Sequence, residues 1–233
     1  MTPRRIGILG GMGPEATVLL MQRIIARTPA SDDADHIPML VDNNPQVPSR
    51  IAALIEGTGE DPGPVLAGMA RRLEAGGCEA LAMPCNTAHH YAAAIQSAVT
   101  IPLLNMIELT CDWVAGMAIP RVGLLASPAV QRTGLFDRPL ARRGIETLHP
   151  ADSAPLLAAI RAVKAGQSQA AEARFADAAA ELQAAGAGVL LVVCSELSVI
   201  VHALSRIGPV VDSIDVLAAA VVDFALPSTL PSK

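Results

Sequence analysis

Aromatic residues are nearly missing from this chain: they account for 2% of its 233 residues, whereas hydrophobic residues as a whole reach 52%. A core built from it must therefore consist of Ala, Val, Leu and Ile. Charge is also thin. Charged residues are 17% of the chain, below the roughly one quarter usual for soluble domains, and with so much apolar content the chain does not read as disordered. The net charge of -5 argues against a general nucleic-acid binder, which would show a basic face. It also means that an acidic ligand needs a local cationic pocket, because the overall field repels it. Lysine is confined to Lys164 and Lys233. No run reaches the ~20 apolar residues of a membrane span. The four cysteines, Cys78, Cys85, Cys111 and Cys194, form no C-x-x-C pair and have no matching histidine spacing, so no metal site is expected. The apolar stretch after Arg4 and Arg5 is broken by Gly10, Gly11, Gly13, Pro14 and Glu15, which a signal peptide would not tolerate. The expectation is a cytoplasmic protein with reduced thiols. Its length suits one large domain or two small ones.

What is present is a duplicated pattern. Met83-Pro84-Cys85-Asn86-Thr87-Ala88-His89-His90 and Val192-Val193-Cys194-Ser195-Glu196-Leu197 each place one cysteine just after an apolar, strand-like run. With Cys194 laid on Cys85, Leu73 falls on Leu182 and Leu81 on Leu190 without a gap. Upstream, Arg5-Ile6-Gly7-Ile8-Leu9 matches Arg121-Val122-Gly123-Leu124-Leu125, with Thr17 on Thr133. Downstream, Ile101-Pro102-Leu103-Leu104-Asn105 resembles Gly208-Pro209-Val210-Val211-Asp212. Matches in the same order imply one α/β unit used twice, and such self-similarity outranks local assignments.

Strands are expected at 5–9, 38–41, 78–83, 101–104, 122–125, 189–193 and 210–211. Helices are expected at 15–27, 64–75, 88–98, 108–117, 134–143, 154–164, 170–185 and 214–224, and the tail 227–233 reads as frayed. The alternation predicts parallel sheets covered by helices on both faces, with ligands at the C-terminal ends of the strands. Gly11-x-Gly13-x-x-Ala16, followed by Asp32, Asp33 and Asp35, imitates a dinucleotide fingerprint. A tight strand-to-helix turn explains the glycines equally, and Pro14 removes an amide that a phosphate would use. Nucleotide binding is the weaker reading.

Two cysteines at equivalent corners suit proton transfer on opposite faces of a carbon acid. A thiol titrates at about 8.5, near enough to neutrality to serve as base or acid, and the start of a helix lowers that value. Asn86, Thr87, Ser195 and Ser127 supply donors for a carboxylate, while Glu196 and His89 are candidates to orient the thiols or accept an ammonium. Arg50 and Lys164, one from each unit, would clamp a side-chain carboxylate and so select an acidic amino acid. A solvated arginine and a lysine placed by a helix dipole are the competing readings. Cys78 and Cys111 read as packing. A pyridoxal-phosphate enzyme would have to use Lys164 as its Schiff base, and no phosphate-cradling loop serves that position.

Ile8-Leu9-Gly10-Gly11-Met12-Gly13-Pro14-Glu15-Ala16-Thr17, Asn44-Pro45-Gln46-Val47-Pro48-Ser49-Arg50, the Cys85 motif and Cys194-Ser195-Glu196-Leu197 resemble the aspartate racemase branch of the aspartate/glutamate racemase superfamily. The resemblance runs over nearly the whole chain. It implies two similar flavodoxin-like α/β lobes related by pseudo-two-fold symmetry: residues 1–101 plus 211–233 with Cys85, and residues 102–210 with Cys194. It also implies an active site in the cleft between them and a C-terminal helix that returns to the first lobe. The activity implied is racemisation of aspartate, with glutamate also open, by the two cysteines and without a cofactor, in a homodimer. Met12 and Gln46 join the substrate-binding set on the same ground. Two positions depart from the family pattern: Ser195 stands where threonine is usual, and Ser127-Pro128-Ala129-Val130 keeps only the first hydroxyl of a Thr-x-Gly-Thr loop. The alternatives left open are a cysteine-dependent dicarboxylate isomerase or decarboxylase and a non-catalytic two-lobed dicarboxylate-binding protein.

Overall fold

The computed structural model describes residues 2–226; Met1 and the tail 227–233, read above as frayed, lie outside the described residues. Two parallel sheets form the framework. In the first, β1 (Ile6–Gly10) lies between β2 (Met39–Asn43) and β3 (Ala80–Ala82). In the second, β4 (Arg121–Leu125) lies between β5 (Glu146–Leu148) and β6 (Val189–Val192), and β7 (Val210–Asp212) pairs with the far side of β6. A bridge between Leu81 and Leu103 puts the segment 101–104 where β7 stands in the second sheet. Both sheets thus follow the flavodoxin-like order of second strand, first, third, fourth.

The helices are α1 (Pro14–Arg27), α2 (Gly63–Ala75), α3 (Ala92–Gln96) and α4 (Met106–Ala115), then α5 (Pro128–Thr133), α6 (Asp137–Arg142), α7 (Ala154–Lys164), α8 (Ser168–Ala184), α9 (Ser195–Val199) and α10 (Ser213–Ala225). None of the described helices is long and apolar enough to cross a membrane.

The duplication holds at the level of register. Leu103 pairs with Leu81, and Val210 with Leu190; these are the residues the sequence overlay superposes. The Leu81 N–H donates to the Pro102 carbonyl at 2.8 Å and the Leu190 N–H to the Pro209 carbonyl at 2.9 Å. Asn105 and Asp212, also superposed, cap α4 and α10 through side-chain oxygens that accept backbone N–H bonds. Gly7 and Gly123 sit beneath matching side chains. A Cβ at Gly7 would stand 3.0 Å from Leu73 Cβ, and one at Gly123 would stand 2.9 Å from Leu182 Cβ.

Each strand alternates its side chains between two apolar layers, as a sheet covered on both faces must. Ile6, Ile8, Ala80 and Ala82 face one layer of the first lobe, and Leu9, Leu81 and Met83 face the other. In the second lobe, Val122, Leu124, Val189 and Leu191 face one layer, and Leu125, Leu190 and Val192 the other. The helix after each last strand changes lobe. On α4, Ile107, Cys111 and Val114 pack into the second lobe beside Val122 and Leu124. On α10, Ile214, Leu217 and Val221 pack into the first lobe with Ile6, Leu20 and Ile24. This spacing by three and four residues is one helix face, and burying each such side chain contributes about 1.5–3 kcal/mol.

Several local expectations needed correction. The segment 101–104 pairs only at Leu103, whereas β7, which follows Pro209 in the same way, pairs over three residues. The stretch after Cys85 is a 3-10 turn, Thr87–Tyr91, before the short α3. Ser127-Pro128, read as loop, opens α5: the Ser127 hydroxyl accepts from the Val130 N–H, and Pro128 takes the first-turn position that proline suits. The edge strand β5 and a π-helical turn at Ala52–Glu56 were not anticipated.

Gly123→Ala is expected to lower stability by about 1–3 kcal/mol, the usual cost of forcing a methyl into a packed layer. Urea unfolding of the variant beside wild type checks this; an unchanged midpoint and slope would show that α8 yields freely.

Candidate active site

The C-terminal ends of the two sheets border one cavity of about 260 Å³. Cys85, Asn86 and Thr87 reach it from the corner after β3, and Val193, Cys194, Ser195 and Glu196 from the corner after β6. Arg50, Ser127, Lys164 and Met12, also expected from the sequence, line it as well. The remaining lining comes from Pro45, Val47, Ser49, Ile51 and Ile160. Ile160 lies one helical turn before Lys164 on α7, so helical spacing was the available signal for it. All four cysteines are free thiols, so neither Cys85 nor Cys194 is tied into a bridge.

Two expected residues lie elsewhere. Gln46 is exposed and does not line the cavity. Its N–H donates to Asn44 Oδ1 at 3.0 Å and the Val47 N–H turns back to the Asn44 carbonyl, a tight turn that leaves Gln46 on its outer side. His89 is buried beneath the corner. Its Nδ1 is 2.9 Å from the Cys85 carbonyl, and its Nε2 accepts the Met106 N–H at 3.1 Å. Together these bonds require the neutral tautomer with hydrogen on Nδ1. With both nitrogens engaged, the ring is a brace for the Cys85 backbone and has no nitrogen left for an ammonium.

The two thiols differ electrostatically. Burial pushes the Cys85 thiol up; the Arg50 guanidinium pulls it back, while Glu196 adds to the rise. Burial pushes the Cys194 thiol well above its usual range, and the neighbouring Glu196 carboxylate pushes in the same direction. The geometry agrees, since Cys194 Sγ donates to Glu196 Oε2 at 3.2 Å. Ser195 Oγ stands 3.4 Å from the same oxygen, and Lys164 Nζ lies 3.2 Å from Oε1. Backbone N–H groups of Ala88 at Cys85, and of Leu197 and Glu196 at Cys194, pull the other way, as expected where a chain turns into a helix.

Arg50 Nη1 donates to the Val47 and Pro48 carbonyls at 3.3 and 3.0 Å. Among the described residues no carboxylate forms an ion pair with it, unlike Lys164. Asn86 is 2% exposed; its Nδ2 donates to Ser213 Oγ at 3.1 Å, and its Oδ1 is buried without a partner. The cavity is thus lined by two thiols and by a guanidinium that has no carboxylate partner among the described residues. Among the described residues no group of three or more His, Cys, Asp or Glu side chains stands where it could hold a metal ion.

The glycine-rich turn has local reasons. A Cβ on Gly11 would lie 2.3 Å from the Asn44 backbone, and its φ is +92°. The Gly11 N–H, which a phosphate would use, donates to Thr17 Oγ1 at 2.9 Å. Asp32 and Asp35 close a capping box of their own.

The sequence model of the Asp/Glu/Hydantoin racemase family matches residues 9–221. The broad specificity amino-acid racemase RacX of Bacillus subtilis (strain 168) is 28% identical over 234 residues, covering 93% of this chain and 96% of that protein. The solved structure of Picrophilus torridus aspartate racemase superposes with a TM-score of 0.88 at 30% identity, covering 95% of this chain and 94% of that one. Glutamate racemase isoform RacE1 from Bacillus anthracis, at 16% identity and a TM-score of 0.68 over 94% of this chain and 80% of its own, shares the two-lobed fold.

Burial depresses the His89 pKa to about 4 from its ordinary 6.5, so the unfolded chain takes up this proton first as pH falls. The stability tied to neutral His89 is complete above pH 6.5 and is lost between there and pH 4, by about 3 kcal/mol. Urea unfolding across that range should show the loss in wild type and a flatter profile in His89→Gln; parallel profiles would remove His89 as its source.

Proposed function

The chain belongs to the Asp/Glu/hydantoin racemase family and is an isomerase of the racemase class, and from that premise we propose that it interconverts L- and D-aspartate, with glutamate as second substrate, without a cofactor. One observation carries this reading: two free thiols from duplicated corners line a single cavity together with a guanidinium that has no carboxylate partner among the described residues. Arg50 and Lys164 hold the side-chain carboxylate. Asn86, Thr87, Ser127 and Ser195 donate to the α-carboxylate. Met12 contributes apolar wall.

Cys85, whose upward push by burial is partly offset by Arg50, acts as thiolate when it removes the α-proton. Cys194, whose proton is held against Glu196, delivers that proton to the opposite face of Cα. The bond from Cα to hydrogen breaks on one side and forms on the other, leaving Cys85 protonated and Cys194 as thiolate. The reverse reaction starts from that exchanged state. Two lobes belong to the same reading, with the expected limits shifted by a few residues so that 101–104 stays with the first sheet and β7, through Asp212, with the second; a cytoplasmic setting and a homodimer belong to it as well.

In heavy water, wild-type enzyme should take deuterium into Cα of aspartate and invert it, and Cys85→Ala or Cys194→Ala should each lose inversion by about 10²- to 10⁴-fold, as loss of a positioned base or acid does. Full turnover in either single variant would remove the two-base scheme. Aspartate binding without exchange in wild type would leave a dicarboxylate-binding protein instead. Arg50→Gln should raise KM for aspartate about 10- to 100-fold through loss of one charge-assisted bidentate contact, which initial-rate kinetics would check.

A further inference from the structure

One buried ion pair lies outside the cavity and takes no part in the chemistry proposed. Arg23 projects from α1 of the first lobe, and Asp212 ends β7 in the second sheet. Nη1 of Arg23 is 2.7 Å from Asp212 Oδ2, with the two side chains 14% and 2% exposed. Nη2 donates to the Ser198 carbonyl at 3.2 Å. The other Asp212 oxygen accepts the Ser198 hydroxyl at 2.7 Å and the Ile214 N–H at 3.0 Å. Ser198 in turn holds the second cysteine: its N–H donates to the Cys194 carbonyl at 3.1 Å, and its Oγ stands 3.4 Å from the same oxygen.

The two halves differ here although their backbones repeat. In each, the residue four positions after the cysteine holds the cysteine carbonyl. His89 does so at Cys85 and leans on the start of α4 through Met106. Ser198 does so at Cys194, but its support is Asp212, gripped by Arg23 from the opposite lobe. Apolar packing across the same seam would be as stabilising as a desolvated ion pair. What the pair adds is direction, since a guanidinium engages its acceptors only in a fixed planar geometry.

We infer that Arg23 and Asp212 are positioning residues for the second thiol: their ion pair ties α1 of the first lobe to the corner that carries Cys194, and so sets the separation of the two site sulfurs. The inference rests on the reading of Cys85 and Cys194 as the reacting pair, and deepens it. Transfer across a substrate carbon is sensitive to such a separation, because a misplacement of about 1 Å can cost about 100-fold in rate.

The test uses full-length enzyme carrying Arg23→Gln, Asp212→Asn, Ser198→Ala or Arg23→Lys, with Arg72→Met as control; Arg72 pairs with Asp42 at 2.6 Å on the exposed face of the first lobe. Two quantities are read: steady-state racemisation of aspartate, and the yield of Cys85–Cys194 bridging by dibromobimane, mapped by peptide mass spectrometry. The bridge requires both sulfurs at short range whether or not the enzyme turns over. Arg23→Gln and Asp212→Asn should lower kcat about 10- to 100-fold with little change in KM and lower the bridging yield with it. Ser198→Ala should fall between them and wild type, Arg23→Lys should recover part of both readouts, and Arg72→Met should alter neither. A folded Arg23→Gln with wild-type kcat and bridging overturns the inference. If the two ion-pair variants do not fold, wild-type values in Ser198→Ala overturn it instead. Wild-type enzyme that bridges normally but does not racemise aspartate would remove the substrate reading, and a bridging yield that still falls in Arg23→Gln would sustain the positioning role.

Discussion

Burial governs the acidity of both site thiols, and the rest of the cavity works against that background. A sulfur removed from water resists becoming an anion, and both Cys85 and Cys194 are pushed up for this reason first. What separates them is the nearest charge. The Arg50 guanidinium offsets part of the rise at Cys85, and Glu196 takes the proton of Cys194 into a hydrogen bond. The two thiols thus stand in different electrostatic surroundings, although each follows the equivalent strand of its sheet. Lys164 partly offsets Glu196 through its own ion pair, so a carboxylate that arrives at Lys164 competes with an anion already in place.

The duplicated framework makes this arrangement possible. Parallel strands of equal order end on the same side of each sheet, and the loops that follow them collect there. Because the fourth strand of each lobe is followed by a helix that crosses to the other lobe, the two strand-end rims are held face to face. The apolar faces of α4 and α10 are buried there. Burial of that kind is strong and non-directional. The Arg23–Asp212 contact is the directional element, and it acts on the half that carries Cys194.

Much of the site was legible because its residues lie in short segments directly after strands. Once β3 and β6 are placed by their apolar runs, Cys85, Asn86, Thr87, Cys194, Ser195 and Glu196 must stand at strand ends. Gln46 and His89 share those segments and still point away from the cavity. Their directions depend on an Asn44-centred turn and on a 3-10 turn that folds an imidazole under its own corner, and neither geometry follows from spacing. The same limit applies to α5. Ser127-Pro128 is a capping pair, yet read beside a strand end it looked like loop, and only its hydrogen bond to Val130 distinguishes the two.

The chain by itself determined the repeat, the alternation of strand and helix, and the equivalent strand-end places of Cys85 and Cys194, because each is written in local periodicity and in self-similarity along the sequence. The tertiary structure alone decided which helix faces close the cleft, which charges sit over which thiol, and that Arg23 meets Asp212, 189 residues away. Those outcomes depend on distances between segments far apart in the chain, and a surface arginine and a strand-end aspartate look ordinary until packing desolvates them together.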